Sequence, residues 1–546
     1  MNIYDKVPVK VQKKSGFDKS FQNLFTSKVG TITPILTDEL IPNTTVNLKA
    51  AITAALPPLA SDTFMRVKLK YAAFFVPSRI IMPGYEEWLC GGTNKSSYTE
   101  NTTQIHQPMI NMTLANAKPG SLADYLGVKV TSTDPGNTNI AVNAMPFLAY
   151  HKIYNDWFRN SLVQKPIYYD TVLTATTSYK ASNSDKVVPC SYNNDAFNYR
   201  LEATATTSGA PHSILFADGV SLLSLRQANF GSDIYTSCTP QAQNGEAQSV
   251  SFTTAAETEQ SSFTISALRA ANSLQQFLER NNIAGNRLVD YVKAQYGANL
   301  SDAIAQRPIL LGSGSFDVFS KGIYQTSETD TSIASETVYK NPFRATPGAR
   351  YGSAFADGND VLVKSFTTAE PGYLMVVAWL SPKVTYGSGI DPMLLRYDGP
   401  KTQSDLANPI LQNVGQEPIY ASQLNSSAVN SRLIFGYNDR YANWKDKTDE
   451  VHGLLRDQGS LQSFALQRTF DSSVKLSSSF LQIPINYLDQ VSAADNTISD
   501  YGYWCDTYFD YKVSMPLARY SVPSLQDPAY EHGEDIIVDR AGKQLS

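Results

Sequence analysis

The chain has 546 residues, of which 42% are hydrophobic, 11% aromatic and only 17% charged, and its formal net charge is −5. A charged share below the roughly 25% of an average soluble protein leaves much of the surface to be covered by something other than water. The acidic balance excludes a chain that wraps nucleic acid by electrostatics alone, so any such contact must be local.

Tyr (31) outnumbers Phe (24), and tyrosine suits interfaces because its ring is apolar and its tip polar. The length suggests roughly 3–4 domains at about 150 residues each, although large all-β units exceed this size. The N-terminus MNIYDKVPVKVQKK has no apolar core of the secretory kind. Lys10, Lys13, Lys14 and Lys19 make residues 1–28 a mildly basic arm, read as a solvated tail.

Strand signals follow. The segment 29–36 is a strand candidate, and in 45–53 Val46, Leu48, Ala50 and Ile52 alternate with polar neighbours. In 64–77 Met65, Val67, Leu69, Tyr71 and Ala73 alternate with Arg66, Lys68 and Lys70, and Pro77 closes the run. Period two over this length means one covered face and one polar face. The stretch MPFLAYHKIYNDWFRN, 145–160, changes period. Phe147, Tyr150, Tyr154, Trp157 and Phe158 fall on one helical stripe, and Lys152, Asn155, Asp156 and Arg159 on the opposite flank. Pro146 suits a first helical turn.

Residues 170–222 and 239–262 are dense in Ser, Thr, Asn and Gln and read as a surface insertion and a short variable loop. A helical hairpin is expected over 264–297, with a break at Asn281–Gly285 and Gly297 stopping the second helix. Further strands are expected at 315–325, 361–367, 373–380, 463–470 and 507–516, the last alternating Phe509, Tyr511, Val513 and Met515 with polar residues. The apolar run 373–380 is far too short to span a bilayer, which takes about 20 residues. It fits a strand buried on both faces.

Signals for chemistry are sparse. The five histidines show no metal spacing, no ligand set can be named, and Cys90, Cys190, Cys238 and Cys505 are scattered, as free thiols of a reducing compartment would be. No nucleophile elbow occurs, and "GSGSF", 312–316, and "YGSGI", 386–390, read as Gly-Ser turns without the lysine of a phosphate loop. His151 reads as a structural histidine. A pair of glycosidase acids needs no motif and stays open.

Several segments, in order along the chain, resemble the major capsid proteins of the Microviridae, small single-stranded-DNA bacteriophages, and most of all the gokushovirus branch. They are the 145–160 helix, "KYAAFFVPSRIIMPGYEEWLCGG" at 70–92, "LRQANFGSDIYTSCTPQAQNG" at 225–245, the 265–297 helices, "RPILLGSGS" at 307–315, "VGQEPIY" at 414–420, "FGYNDRYANWKDKTDEVHG" at 435–453 and "KVSMPLARYSVPSL" at 512–525. Two departures stand out: "IPNT", 41–44, replaces the family's frequent "LPGD", and the long insertion lies near 170–222 rather than just before the hairpin.

The resemblance implies a mainly β chain. Its core would be an eight-stranded antiparallel jelly roll of the viral capsid type, with long loop insertions and a helical hairpin. Residues 1–546 would form one capsid subunit, with 512–546 as its C-terminal strand and tail. It implies self-assembly into a small icosahedral shell around circular single-stranded DNA, assembled in the host bacterial cytoplasm and carried in the virion. A basic DNA-binding protein and a pilot protein would accompany it. No enzyme activity, cofactor or membrane association is expected. Phe147, Tyr154, Trp157 and Phe158 are the candidate packing or subunit-interface residues, and Lys152 and Arg159 the candidate subunit or DNA contacts. The alternatives are a phage receptor-binding or spike protein and a secreted carbohydrate-active β protein.

Overall fold

The structure is a computed structural model. It describes residues 14–60, 63–82, 109–112, 117–129, 140–165, 222–242, 265–284, 287–325, 350–396, 415–427, 433–457, 459–493 and 497–519, with residues 85, 89, 409 and 412 in addition. The first thirteen residues, nearly all of the 170–222 insertion, most of the 239–262 loop and the tail after 519 lie outside the described residues.

Antiparallel strands dominate. In chain order they are β1 (Ser15–Asp18), β2 (Phe21–Ser27), β3 (Thr31–Leu40), β4 (Thr45–Ala55), β5 (Val67–Pro77), β6 (Met109–Met112), β7 (Ile140–Asn143), β8 (Arg226–Gln227), β9 (Ile309–Gln325), β10 (Arg350–Thr367), β11 (Gly372–Pro382), β12 (Gln416–Tyr420), β13 (Ile434–Asp439) and β14 (Tyr503–Met515). The large sheet contains two runs of four neighbours, β2-β14-β4-β10 and β3-β11-β5-β9. They are joined where Arg350–Phe355 of β10 pairs with Phe319–Gln325 of β9. β1 continues the edge of β14 beyond β2, and the two-residue β8 adds to β3. Ser15–Asp18 and Phe21–Ser27, within the expected basic arm, form strands.

The alternation on β4, β5 and β14 explains why these segments pair. Leu48, Ile52, Leu69, Tyr71, Phe509 and Tyr511 are all at most 1% exposed. Full burial of one such side chain stabilises by roughly 1.5–3 kcal/mol. Tyr71 packs on Phe316 of β9, with ring centroids 5.2 Å apart, and donates a hydrogen bond to Asp360 of β10 at 2.7 Å. Phe75 meets Phe366 of β10 at 5.3 Å. These inward contacts bring the two runs together. On the outer face of β5, Lys68 is exposed and Lys70 half-buried, whereas Ala72 and Phe74 are covered.

Two expectations are corrected. "GSGSF", 312–316, is the middle of β9, not a turn. A Cβ on Gly312 would lie 2.0 Å from the Leu362 carbonyl oxygen, and one on Gly358 would lie 2.0 Å from the Phe316 ring, so glycine here permits close approach of β9 and β10. The strand expected at 463–470 is a 3-10 turn, Gln462–Phe464, followed by irregular chain, with one parallel bridge from Arg468 to Tyr386. Its residues pair with no ladder; Arg468 instead stacks on Phe230, Phe470 and Phe480 at 4.2–4.8 Å.

Helix α1 (Met145–Ile153) lies against β5 and β11. The hairpin is α2 (Ile265–Ala284) and α3 (Leu288–Tyr296), ended by Gly297 in the left-handed region at φ 67°. The ring of Phe277 meets that of Tyr291 at 6.3 Å, yet Leu274, Phe277, Leu288 and Tyr296 remain exposed. Among the described residues, no helix is long and apolar enough to cross a membrane.

Candidate contact groove beside the aromatic helix

The side-chain oxygen of Asn143 accepts the Met145 N–H at 2.9 Å and so starts α1. The first two turns are apolar all round, and Phe147, Tyr150 and Tyr154 are 1%, 1% and 4% exposed. The Tyr150 hydroxyl donates to the Ile32 carbonyl at 2.7 Å and accepts the Arg226 N–H at 2.8 Å, which pins the helix to β3 and β8. After Ile153 the helix widens into a π turn, Tyr154–Phe158, closed by the Arg159 N–H on the Tyr154 carbonyl at 3.0 Å. A π turn takes more residues per turn than an α-helix and so shifts where its side chains point. Here Trp157 and Phe158 reach the outer face of the sheet, where Phe74 lies 5.6 and 6.3 Å from their rings. Phe158 also meets Trp379 of β11 edge-on at 4.9 Å. Trp157 donates its indole N–H to the Pro308 carbonyl at 2.9 Å, and the Arg307 guanidinium stacks on its ring at 4.5 Å.

The polar flank turns toward the rest of the chain. Lys152 pairs with Asp156 at 3.3 Å, and their side chains are only 15% and 16% exposed. Burial raises the Asp156 carboxyl above its usual range despite that partner. Arg159 donates to the Gln164 carbonyl at 2.9 Å. Arg287, at the head of α3, donates to the carbonyls of Asn155 and Arg159 at 3.0 and 2.7 Å and ties the hairpin to this helix. Phe147 and Tyr154 are thus core of the subunit itself, while Trp157, Phe158 and Arg159 stand beside an open groove.

That groove has two parts. A recess of about 420 Å³ is walled by Phe74, Trp157, Phe158, Phe230 and Trp379, with Asn160 and Asn229 at its edge. A wider trough of about 740 Å³ continues from it, lined by Arg66, Lys68, Lys383 and Lys447 and also by Asp233, Asp317, Asp446 and Asp449. Lys70, Gly231 and Ser232 line both. Strand register builds this arrangement. Lys70 stands across from Trp379 on β11 and from Ser315 on β9, and Lys68 across from Ser381 and Asp317.

Carboxylates partly balance the trough: Lys68 to Asp317 at 3.4 Å, and Arg66 and Lys383 both to Asp449 at 3.7 and 2.5 Å. Neither Lys70 nor Lys447 has a salt bridge or side-chain hydrogen bond among the described residues. Burial, and then neighbouring Lys68, lowers the Lys70 amine below its ordinary pKa.

Sequence reasoning reached Trp157, Phe158 and Arg159 but missed Lys70, Trp379, Lys383 and Lys447. The available signal was a tryptophan near the end of a largely aliphatic strand, opposite a strand carrying alternate lysines. Among the described residues there is no cluster of metal-ligating side chains. Cys238 and Cys505 are buried free thiols, their pKa raised by burial.

The sequence matches the capsid protein (F protein) family over residues 5–525. It is similar to capsid protein VP1 of Chlamydia phage 1, at 26% identity over 96% of this chain and 98% of that protein. Against capsid protein VP1 of Bdellovibrio phage phiMH2K the identity is 25%, over 95% and 97% of the two chains. Against that of Spiroplasma virus 4 it is 27%, over 90% and 91%. All three are viruses of the Microviridae. The matched region takes in every strand of the large sheet, the aromatic helix and the hairpin. The chain belongs to the phage capsid protein (F protein) family, a family of structural proteins and not of enzymes.

Proposed function

We propose that this major capsid protein self-assembles into a small closed icosahedral shell around a circular single-stranded DNA genome, in the cytoplasm of a bacterial host. The observation that carries the reading is the family match over 5–525, nearly the whole chain. The eight strands β2, β3, β4, β5, β9, β10, β11 and β14 act as one jelly roll, a reading supported by the neighbour orders β2-β14-β4-β10 and β3-β11-β5-β9. Two packed four-stranded sheets of this kind form a stiff block whose loops meet around symmetry axes.

Copies meet through apolar surface. Leu274, Leu288, Tyr296, Ile304, Met393 and Leu394 are 45–73% exposed, and obligate interfaces are the apolar class. A net charge of −5 leaves the genome to be neutralised by local patches and by a basic companion protein, with a pilot protein completing the particle. Electron microscopy of the expressed full chain tests the proposal. Closed isometric particles are expected; a dispersed monomer at high concentration refutes it.

A further inference from the structure

We propose that the groove over the outer face of β5, β9 and β11 holds a stretch of single-stranded nucleic acid, one base in the aromatic recess and the adjoining phosphates along the lysine trough. The proposal rests on the reading of the chain as a DNA-enclosing shell protein and assigns that contact a place.

Three observations carry it. First, the recess and the trough share Lys70, so a π-lined pocket adjoins a trough in which five cationic side chains stand among four aspartates, with Lys70 and Lys447 outside any salt bridge among the described residues. Sequence-tolerant binding of single strands combines these two elements, rings on which bases stack and a basic track for the backbone. Second, Trp379 and Lys70 are cross-strand partners. An indole and an amine side by side match the base and phosphate of one nucleotide. Lys68, two residues along the same face, repeats the cation after about 6.6–6.8 Å of strand, and Lys383 and Lys447 continue the row. Third, the Lys70 amine is half-buried without an anionic partner among the described residues. An ammonium removed from water is costly unless it is paired, and a phosphate oxygen supplies the pair. Asp317 and Asp449 hold their lysines and arginine in exposed or half-exposed pairs, which are weak and open to competition by phosphate. A duplex cannot use the recess, because its base faces are already stacked; the occupant is single-stranded.

The test is fluorescence anisotropy of a short labelled oligothymidylate with the full chain across a salt series. Trp379→Ala lowers affinity about tenfold to a hundredfold and Trp379→Phe restores most of it. Lys70→Gln and Lys447→Gln each flatten the slope of log K against log salt by about 0.7. Lys49→Gln, an exposed lysine on β4 outside the groove, leaves affinity and slope unchanged. Photo-crosslinking of a bromouracil oligonucleotide to the unaltered chain places the adduct at Trp379, a readout that needs no variant to fold. Groove variants that bind like the parent, equal losses from Lys49→Gln, or adducts elsewhere overturn the site. Microscopy of the same samples separates the two readings. Particles with unchanged DNA binding refute the groove alone, whereas a parent chain that forms no particles refutes the shell.

Discussion

His151 is fully buried, and its two ring nitrogens are both engaged. Nε2–H donates to the Leu222 carbonyl at 2.7 Å, and Nδ1 accepts from the Arg226 guanidinium at 3.2 Å. That arrangement holds the neutral ring, since a second proton would face an arginine. Burial first, and Arg226 second, place its pKa well below the ordinary 6.5. Below about pH 6.5 the unfolded chain therefore binds a proton that the folded chain refuses, so stability falls as pH drops, by up to about 1.4 kcal/mol per pH unit until the folded-state pKa is reached. Urea midpoints taken from about pH 7.5 down to about pH 5 should fall in the parent and fall less in His151→Gln. Identical slopes in the two proteins would remove His151 as the source. At this scale the sequence was informative about identity but silent about partners. The apolar stripe marked Phe147 and Tyr154 because burial follows helical period. The groove lysines come from strands far apart in the chain, and only sheet register brings them to Trp379.

The strand β9 shows how an element can be misread. "GSGSF" carries the residues of a turn, yet its glycines at 312 and 314 fall on one face of an extended strand. There the missing side chains admit the Leu362 carbonyl of β10 and the Tyr71–Asp360 hydrogen bond. Turn composition and close backbone approach draw on the same residue, so composition alone does not separate them. Gly312→Ala sets a methyl 2.0 Å from backbone that cannot swing aside. It should destabilise the chain by about 1–3 kcal/mol, the cost of overpacking, seen as a lowered melting midpoint. Gly16→Ala, with open space around it, is the control and should leave the midpoint unchanged. β4, β5 and β14 were legible because one covered face imposes period two. Residues 463–470 were not, because Arg468 in their midst is enclosed by the rings of Phe470, Phe230 and Phe480 instead of pairing in a ladder. The π turn at 154–158 also had no sequence signature: the apolar spacing runs straight through it, although the turn parts buried Tyr154 from Trp157 and Phe158 at the groove.

Across the whole molecule, few charges and exposed apolar side chains predict how copies associate. Raising salt from about 0.1 M to about 1 M shortens the screening length from about 10 Å to about 3 Å. Particle yield by light scattering should hold or rise over that range, while oligonucleotide binding falls. A collapse of particles in salt would mean that charge, not apolar contact, joins the copies. The position of β14 has its own outcome. It lies between β4 on one side and β1 and β2 on the other, so strands emerging early from the ribosome wait for one emerging near the end. A prematurely terminated product lacks the keystone of that wall and offers degradation machinery an open edge instead of a finished tile.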